Sequence, residues 1–196
     1  MFFRKNKVIK TELQDVQRLP DEPDIERIIK TLGIKSGELI GHVGCLDTKF
    51  LLPLQSAVSK KGKLYEIDHR FDALDAVEKI ISEKDVKGVE TLISSEVSIP
   101  IADEFLDGII VTHFIHTLRR PLRFIFELKR ILKKSGFLYI LEGEGGGFAF
   151  FKKKRNDKNV PYPSVAAIQH LKKAHFFNIQ KRHEANKEYS IITKKK

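Results

Sequence analysis

The 196-residue chain has no tryptophan, one cysteine and one methionine, the first residue. A lone Cys45 excludes an internal disulfide and leaves too few thiols for a zinc site, which points to a reducing cytoplasm. No apolar run approaches the roughly 20 residues of a membrane span. Met1-Phe2-Phe3-Arg4-Lys5 leads into no apolar signal core, so neither a membrane nor a secretory route is expected. Acidic residues are the scarcer charge, 26 against 36 basic ones, for a net charge of +10. The excess gathers in Lys152-Lys153-Lys154-Arg155 and Lys194-Lys195-Lys196, both expected to be exposed. They read either as a surface that attracts the phosphates of RNA, DNA or an anionic substrate, or as a solvated loop and a frayed tail. Hydrophobic residues make up 41%, enough to close a core and to exclude disorder of the whole chain.

Residues 1–23 are polar and carry Pro20 and Pro23, so they read as an extended lead-in to one domain over residues 24–196. Asp24 is placed to cap a helix over 24–32 that carries Ile25, Ile28, Ile29 and Leu32 at helical spacing and stops at Gly33. Strand and helix patterns then alternate, as in a parallel sheet covered on both faces. Strands are expected at Glu38–Val43, Lys63–Asp68, Val89–Ile93, Leu106–Thr112 and Phe137–Leu141. Helices are expected over 49–58, over 71–82 and from Pro121. Three glycines at 145–147 imply a mobile loop. Ser164 is expected to cap a helix to Lys173, and Phe176–Arg182 pairs with Tyr189–Thr193 across Ala185-Asn186 as a hairpin.

Gly41-His42-Val43-Gly44-Cys45-Leu46-Asp47-Thr48 forms the first strand-to-helix turn, the place of a nucleotide-cofactor loop. Four further segments have recognisable wording: Leu32-Gly33-Ile34-Lys35-Ser36-Gly37-Glu38, Lys61-Gly62-Lys63-Leu64-Tyr65-Glu66-Ile67-Asp68, Ile99-Pro100-Ile101-Ala102-Asp103, and Leu128-Lys129-Arg130-Ile131-Leu132-Lys133-Lys134-Ser135-Gly136. Together with the element order they resemble the class I S-adenosylmethionine-dependent methyltransferase family, in the type 11 subgroup related to quinone-biosynthesis enzymes. The resemblance implies a Rossmann-like α/β sandwich, with a mostly parallel seven-stranded sheet, an antiparallel C-terminal strand and helices on both faces. It also implies S-adenosylmethionine as cofactor. His42, Gly44, Cys45 and Leu46 would then lie along the cofactor loop, with Asp68 and the adjacent His69 at the ribose. Ser95 and Glu96 would lie near the adenine, and Thr112 beside the substrate.

The loop departs from the family pattern: His42 stands for its first-strand acid, and Leu46 and Thr48 stand for two glycines. A non-glycine residue in a left-handed conformation costs about 1–2 kcal/mol, so the loop is expected to weaken cofactor binding unless it is rebuilt. Glu66 inside a doubly covered strand needs a partner. His113 and His116, at and just after the end of the fourth strand, are the candidate catalytic bases. With no third ligand at a matching spacing, no metal is expected. Cys45 reads as structural, and His170, His175 and His183 as surface residues. Two functions stay open. One is a methyltransferase of unknown small-molecule or macromolecular acceptor, and the other is a cofactor-free methyltransferase-like module that binds nucleic acid or a protein.

Overall fold

The computed structural model describes residues 24–144 and 161–196. The lead-in at 1–23, the glycine run at 145–147 and the basic cluster at 152–155 lie outside the described residues.

Helix α1 (Ile25–Leu32) begins where the Asp24 carboxylate accepts from the Arg27 N–H at 2.9 Å. It ends at Gly33, whose left-handed backbone (φ 66°) lets its N–H close on the Ile29 and Lys30 carbonyls. Strands β1 (Leu39–Val43), β2 (Lys63–Asp68), β3 (Val89–Ile93) and β4 (Leu106–Thr112) follow, with α2 (Leu51–Val58) after β1 and α3 (Phe71–Glu83) after β2. Pro53 is tolerated in α2 because it sits in the first turn, where its missing N–H is not called upon. Helix α4 (Pro121–Ile131) has proline at its first position and runs into β5 (Leu132–Gly143). Helix α5 (Ser164–Lys173), β6 (Phe176–His183) and β7 (Glu188–Lys195) complete the order.

The seven strands form one sheet in the order β3-β2-β1-β4-β5-β7-β6. β1 to β5 are parallel, and β7 runs antiparallel between β5 and β6. The period-two alternation of β4 divides its apolar run between two cores. Ile109 and Val111 pack with Phe124, Leu128 and Leu171 of α4 and α5. Ile110 packs with Ile28, Leu54 and Val77 of α1, α2 and α3. Both faces are thus covered, and the loops at the carboxyl ends of β1, β2, β4 and β5 are left to build a site.

Four expectations change. β5 is seven residues longer than Phe137–Leu141: a register irregularity between Leu106 and Gly108 lets Leu132–Gly136 join ahead of Phe137, and pairing with β7 adds Glu142 and Gly143 at the other end. Ser164 does not cap α5. Pro163 holds the cap position, and the Ser164 hydroxyl donates to Glu144 Oε1 at 2.7 Å. The C-terminal lysines are not a frayed tail. Lys194 and Lys195 belong to β7, and the buried Lys195 ammonium donates to the Leu132 carbonyl at 2.7 Å and pairs with Glu104 at 3.1 Å. His170 is half-buried, with Nδ1 2.6 Å from the Tyr162 hydroxyl, and burial pushes its pKa down. No helix among the described residues is long and apolar enough to cross a membrane.

Candidate functional site

The bend after β1 turns on Gly44, which has φ 90° and a backbone so close to β4 that a Cβ there would lie 2.2 Å from the Thr112 carbonyl oxygen. Gly44 is the only left-handed residue of the bend, so Leu46 and Thr48 do not incur the conformational cost their lack of glycine suggested. The Leu46 side chain is 57% exposed and points away from the core. Asp47 caps the short 3-10 turn Thr48–Phe50 by accepting from the Lys49 N–H at 3.3 Å.

His42, expected along the cofactor loop, faces the interior instead. Register places it opposite Glu66 on β2. Its Nδ1 lies 2.7 Å from Glu66 Oε2 and its Nε2 3.0 Å from Thr112 Oγ1, with both ionisable side chains fully buried. The Thr112 hydroxyl donates to the Gly44 carbonyl at 3.0 Å. Its one hydrogen is thereby spent, so His42 Nε2 donates to it, and a second proton lies between Nδ1 and Oε2. Whichever atom carries that proton, the pair is net neutral within the sheet. Glu66 finds its partner here, and Thr112 ties β4 to the bend.

Asp68 ends β2 beside the bend, with Oδ2 4.0 Å from Cys45 Sγ. Its Oδ1 accepts from the Arg70 N–H at 3.0 Å, and His69 Nδ1 stands 3.6 Å away. The carboxylate is 1% exposed, the Arg70 Nε stands 3.6 Å from Oδ1, and the His69 ring meets Phe114 edge-on at 5.0 Å. His69 Nδ1 is itself buried without a hydrogen-bond partner. Burial, followed by the charges of Glu66 and Asp68, pushes the Cys45 thiol far above its ordinary range, so it packs as a small apolar group and not as a nucleophile. Ser95 and Glu96 sit past β3, beyond the Ser94 N–H that donates to the Asp68 carbonyl at 2.8 Å. The Ser95 hydroxyl and N–H close their own turn on the Ser98 carbonyl.

On the other side of the bend, β4 and β5 deliver a pocket of about 190 Å³ lined by His113, His116, Glu142, Gly143 and Pro161. Glu142 Oε1 accepts from the Ile115 and His116 N–H groups at 2.6 and 3.4 Å, and its Oε2 meets His116 Nδ1 at 2.9 Å. The antiparallel β7 brings Glu188 opposite Gly143, 3.3 Å from His113 Nε2. Sequence reasoning passed over Glu142 and Glu188. The signal for Glu142 was available, since an acid ending an apolar strand is the same pattern that singled out Asp68. Glu188 depends on the antiparallel pairing, which gives no local sign.

Residues 42–140 match the family model described as a methyltransferase domain. The chain belongs to this methyltransferase family. It is 23% identical over 117 residues to a demethylmenaquinone methyltransferase of Staphylococcus saprophyticus, a match covering 60% of this chain and 49% of that protein. This chain therefore spans about half the length of that relative. Among solved structures, a SAM-dependent methyltransferase from Aquifex aeolicus superposes with a TM-score of 0.74 at 26% identity, over 88% of this chain and 93% of the other. A putative methyltransferase from Bacillus halodurans gives 0.70 at 19% identity, over 82% and 73%.

Proposed function

We propose that the protein is an S-adenosylmethionine-dependent methyltransferase acting on a small acceptor held between β4 and β5. The observation that carries this reading is the buried Asp68 carboxylate beside the bend: Oδ1 is held by the Arg70 N–H and faces the Arg70 Nε at 3.6 Å, while among the described residues Oδ2 takes one weak hydrogen bond, from a thiol at 4.0 Å. An under-satisfied acceptor of this kind suits the two hydroxyl donors of a ribose, and the orphaned His69 Nδ1 beside it suits a further polar contact. The Gly44–Asp47 bend would hold the methionine half. When bound, the cofactor supplies an electrophilic methyl group that an aligned nucleophile can displace without a catalytic triad. His69 and Arg70, both part-exposed, must turn aside for Asp68 to be reached, and on returning they would exclude water. A lone buried thiol suits a cytoplasmic setting.

Calorimetric titration of the full chain with S-adenosylmethionine tests the proposal. Saturable binding that weakens tenfold or more in Asp68→Asn is expected, since a hydrogen bond to a charged group is worth about 1.5–3 kcal/mol. A folded protein that gives no heat at millimolar ligand would favour the second reading, a cofactor-free module for nucleic acid or protein. The observation on its side is the closure of His69 and Arg70 over Asp68.

A further inference from the structure

We infer that the sheet edge where β6 begins and β7 ends is a docking surface for single-stranded RNA, with lysines on its phosphates and the Phe177 ring under a base. The surface lies away from Asp68 and stands independently of the methyl-transfer reading. β6 is the last strand of the sheet. Register sets Phe177 opposite Lys194 on β7, and Lys194 opposite Phe137 on β5, so the three side chains form one row on one face. The next row on that face, Tyr139, Ile192 and Gln180, meets Ile28 and Leu32 of α1 across a small cavity, whereas Phe177 is left 36% exposed. Asn178, at a left-handed φ of 52°, bulges β6 between Phe177 and Gln180. The bulge keeps both residues on the face and spoils the free edge as a template for a strand of another chain.

Charge selects a polyanion. Lys134, Lys172, Lys173 and Lys194 are exposed at this edge, and none has an ion-pair partner among the described residues. The acids at the entrance to β4 do not neutralise them, because Asp103 is held by Arg130, Glu104 by Lys195 and Asp107 by Lys133. Nor does the end of α5 engage Lys172 and Lys173. The Lys129 ammonium already donates to the Ala174 and His175 carbonyls there, at 2.7 and 3.4 Å. Burial, then the charge of Lys195, push the Lys129 pKa down, so cations already repel one another beneath this surface. An exposed ring among unpaired ammonium groups, with His175 exposed beside it, is the combination that takes up unpaired bases. The exposed Asn178 and Gln180 amides offer both a donor and an acceptor, which a 2′-hydroxyl answers, so the strand is RNA. A lipid surface fits less well. Phe177 is the one exposed large apolar side chain of β5, β6 and β7 among the described residues, too little to anchor in acyl chains.

The test is fluorescence anisotropy of a short labelled oligouridylate titrated with the full chain. Saturable binding at low salt is expected, with log affinity falling against log salt at a slope of about −3 for four lysines on a single strand. Lys134→Gln with Lys194→Gln should make that slope shallower by about 1.4. Phe177→Ala should weaken binding about 5- to 150-fold and leave the slope unchanged. Phe177→Tyr should bind as the wild type does. Phe177→Leu keeps apolar bulk without a flat face and should lose as much as the alanine variant, which tells stacking apart from packing. A duplex of the same length should bind more weakly and ignore Phe177→Ala, because its base faces are hidden. No binding at low salt overturns the inference, as does binding to the duplex or to oligodeoxythymidylate that equals binding to oligouridylate. Preference for phosphatidylserine vesicles over oligouridylate also overturns it. So does RNA binding indifferent to both the lysine pair and Phe177, the result expected if Lys152-Lys153-Lys154-Arg155 carried it.

Discussion

At the scale of single residues, the largest departure from the family pattern is absorbed by a local exchange. Where the family resemblance implies an acid in the first strand, this chain has His42, and an acid, Glu66, stands opposite it across the β1–β2 ladder. Removing one member of a buried pair leaves the other uncompensated, so His42→Ala and Glu66→Ala should each cost about 3–5 kcal/mol. The double variant should cost clearly less than their sum, as read by chemical denaturation in a double-mutant cycle. Additive losses would mean that the two side chains act independently. That Glu66 needed a partner was legible in the sequence, but the partner's identity was not, because it depends on strand register. The bend gives a second contrast. Gly44→Ala must fit a Cβ 2.2 Å from the Thr112 carbonyl at a left-handed φ, and should lose at least about 1–2 kcal/mol. Leu46→Gly relieves no strain, because Leu46 is not left-handed, and should change stability by less than about 1 kcal/mol. If Leu46→Gly instead raised S-adenosylmethionine affinity tenfold, the Leu46 side chain would be the obstruction.

At the scale of elements, the connection from β3 to β4 is held by α4 through one arginine. Arg130 donates to the Ile99 and Ile101 carbonyls, to Asp103 and to Glu127, and Glu127 Oε1 in turn accepts from the Ile99 N–H at 2.7 Å. Burial pushes the Glu127 carboxyl up, but the hydrogen bonds from Arg130 and Ile99 outweigh it and hold its pKa below the ordinary value. A depressed folded-state pKa stabilises the fold above the unfolded value of about 4.3, and that contribution is lost as pH falls through the lower folded value. Glu127→Gln should therefore cost about 1–3 kcal/mol at neutral pH. It should also flatten the loss of stability on acidification below about pH 4.3, followed by urea midpoints across pH. Parallel slopes for the two proteins would show that the clamp carries no charge dependence. The elements themselves were legible where periodicity is strong: β2, β3 and β4 run over Lys63–Asp68, Val89–Ile93 and Leu106–Thr112 as their apolar patterns indicate. The start of β5 was hidden because Lys133, Lys134 and Ser135 read as a turn, and they extend only because β4 offers an edge that tolerates a shifted register. The site was legible to the same degree. Strand ends announced Gly44, Asp68 and His116, whereas Glu188 owes its place to pairing between β7 and β5.

At the scale of the whole molecule, three acids of the described residues gather at one edge of the sheet. Glu142, Glu188 and Asp68 collect at the carboxyl edge of the parallel strands, where the pocket and the bend lie. At the opposite edge β5 begins, α5 ends and β7 ends, because Phe137 pairs with Lys194 and Phe176 with Lys195. That edge presents exposed Lys134, Lys172, Lys173 and Lys194. Lys195 does not count among them, since its ammonium is spent on Leu132 and Glu104. These four exposed ammonium groups offer a polyanion a landing place on the far side of the sheet from Asp68, Glu142 and Glu188. Binding to a generic RNA or DNA duplex should be measurable at low salt and should fall steeply as salt rises, in proportion to the phosphates neutralised. Lys134→Glu with Lys194→Glu should weaken it and reduce the salt slope by about 2, one for each cation removed. S-adenosylmethionine should leave it unchanged. Competition between the duplex and S-adenosylmethionine would place the polyanion at the carboxyl edge after all.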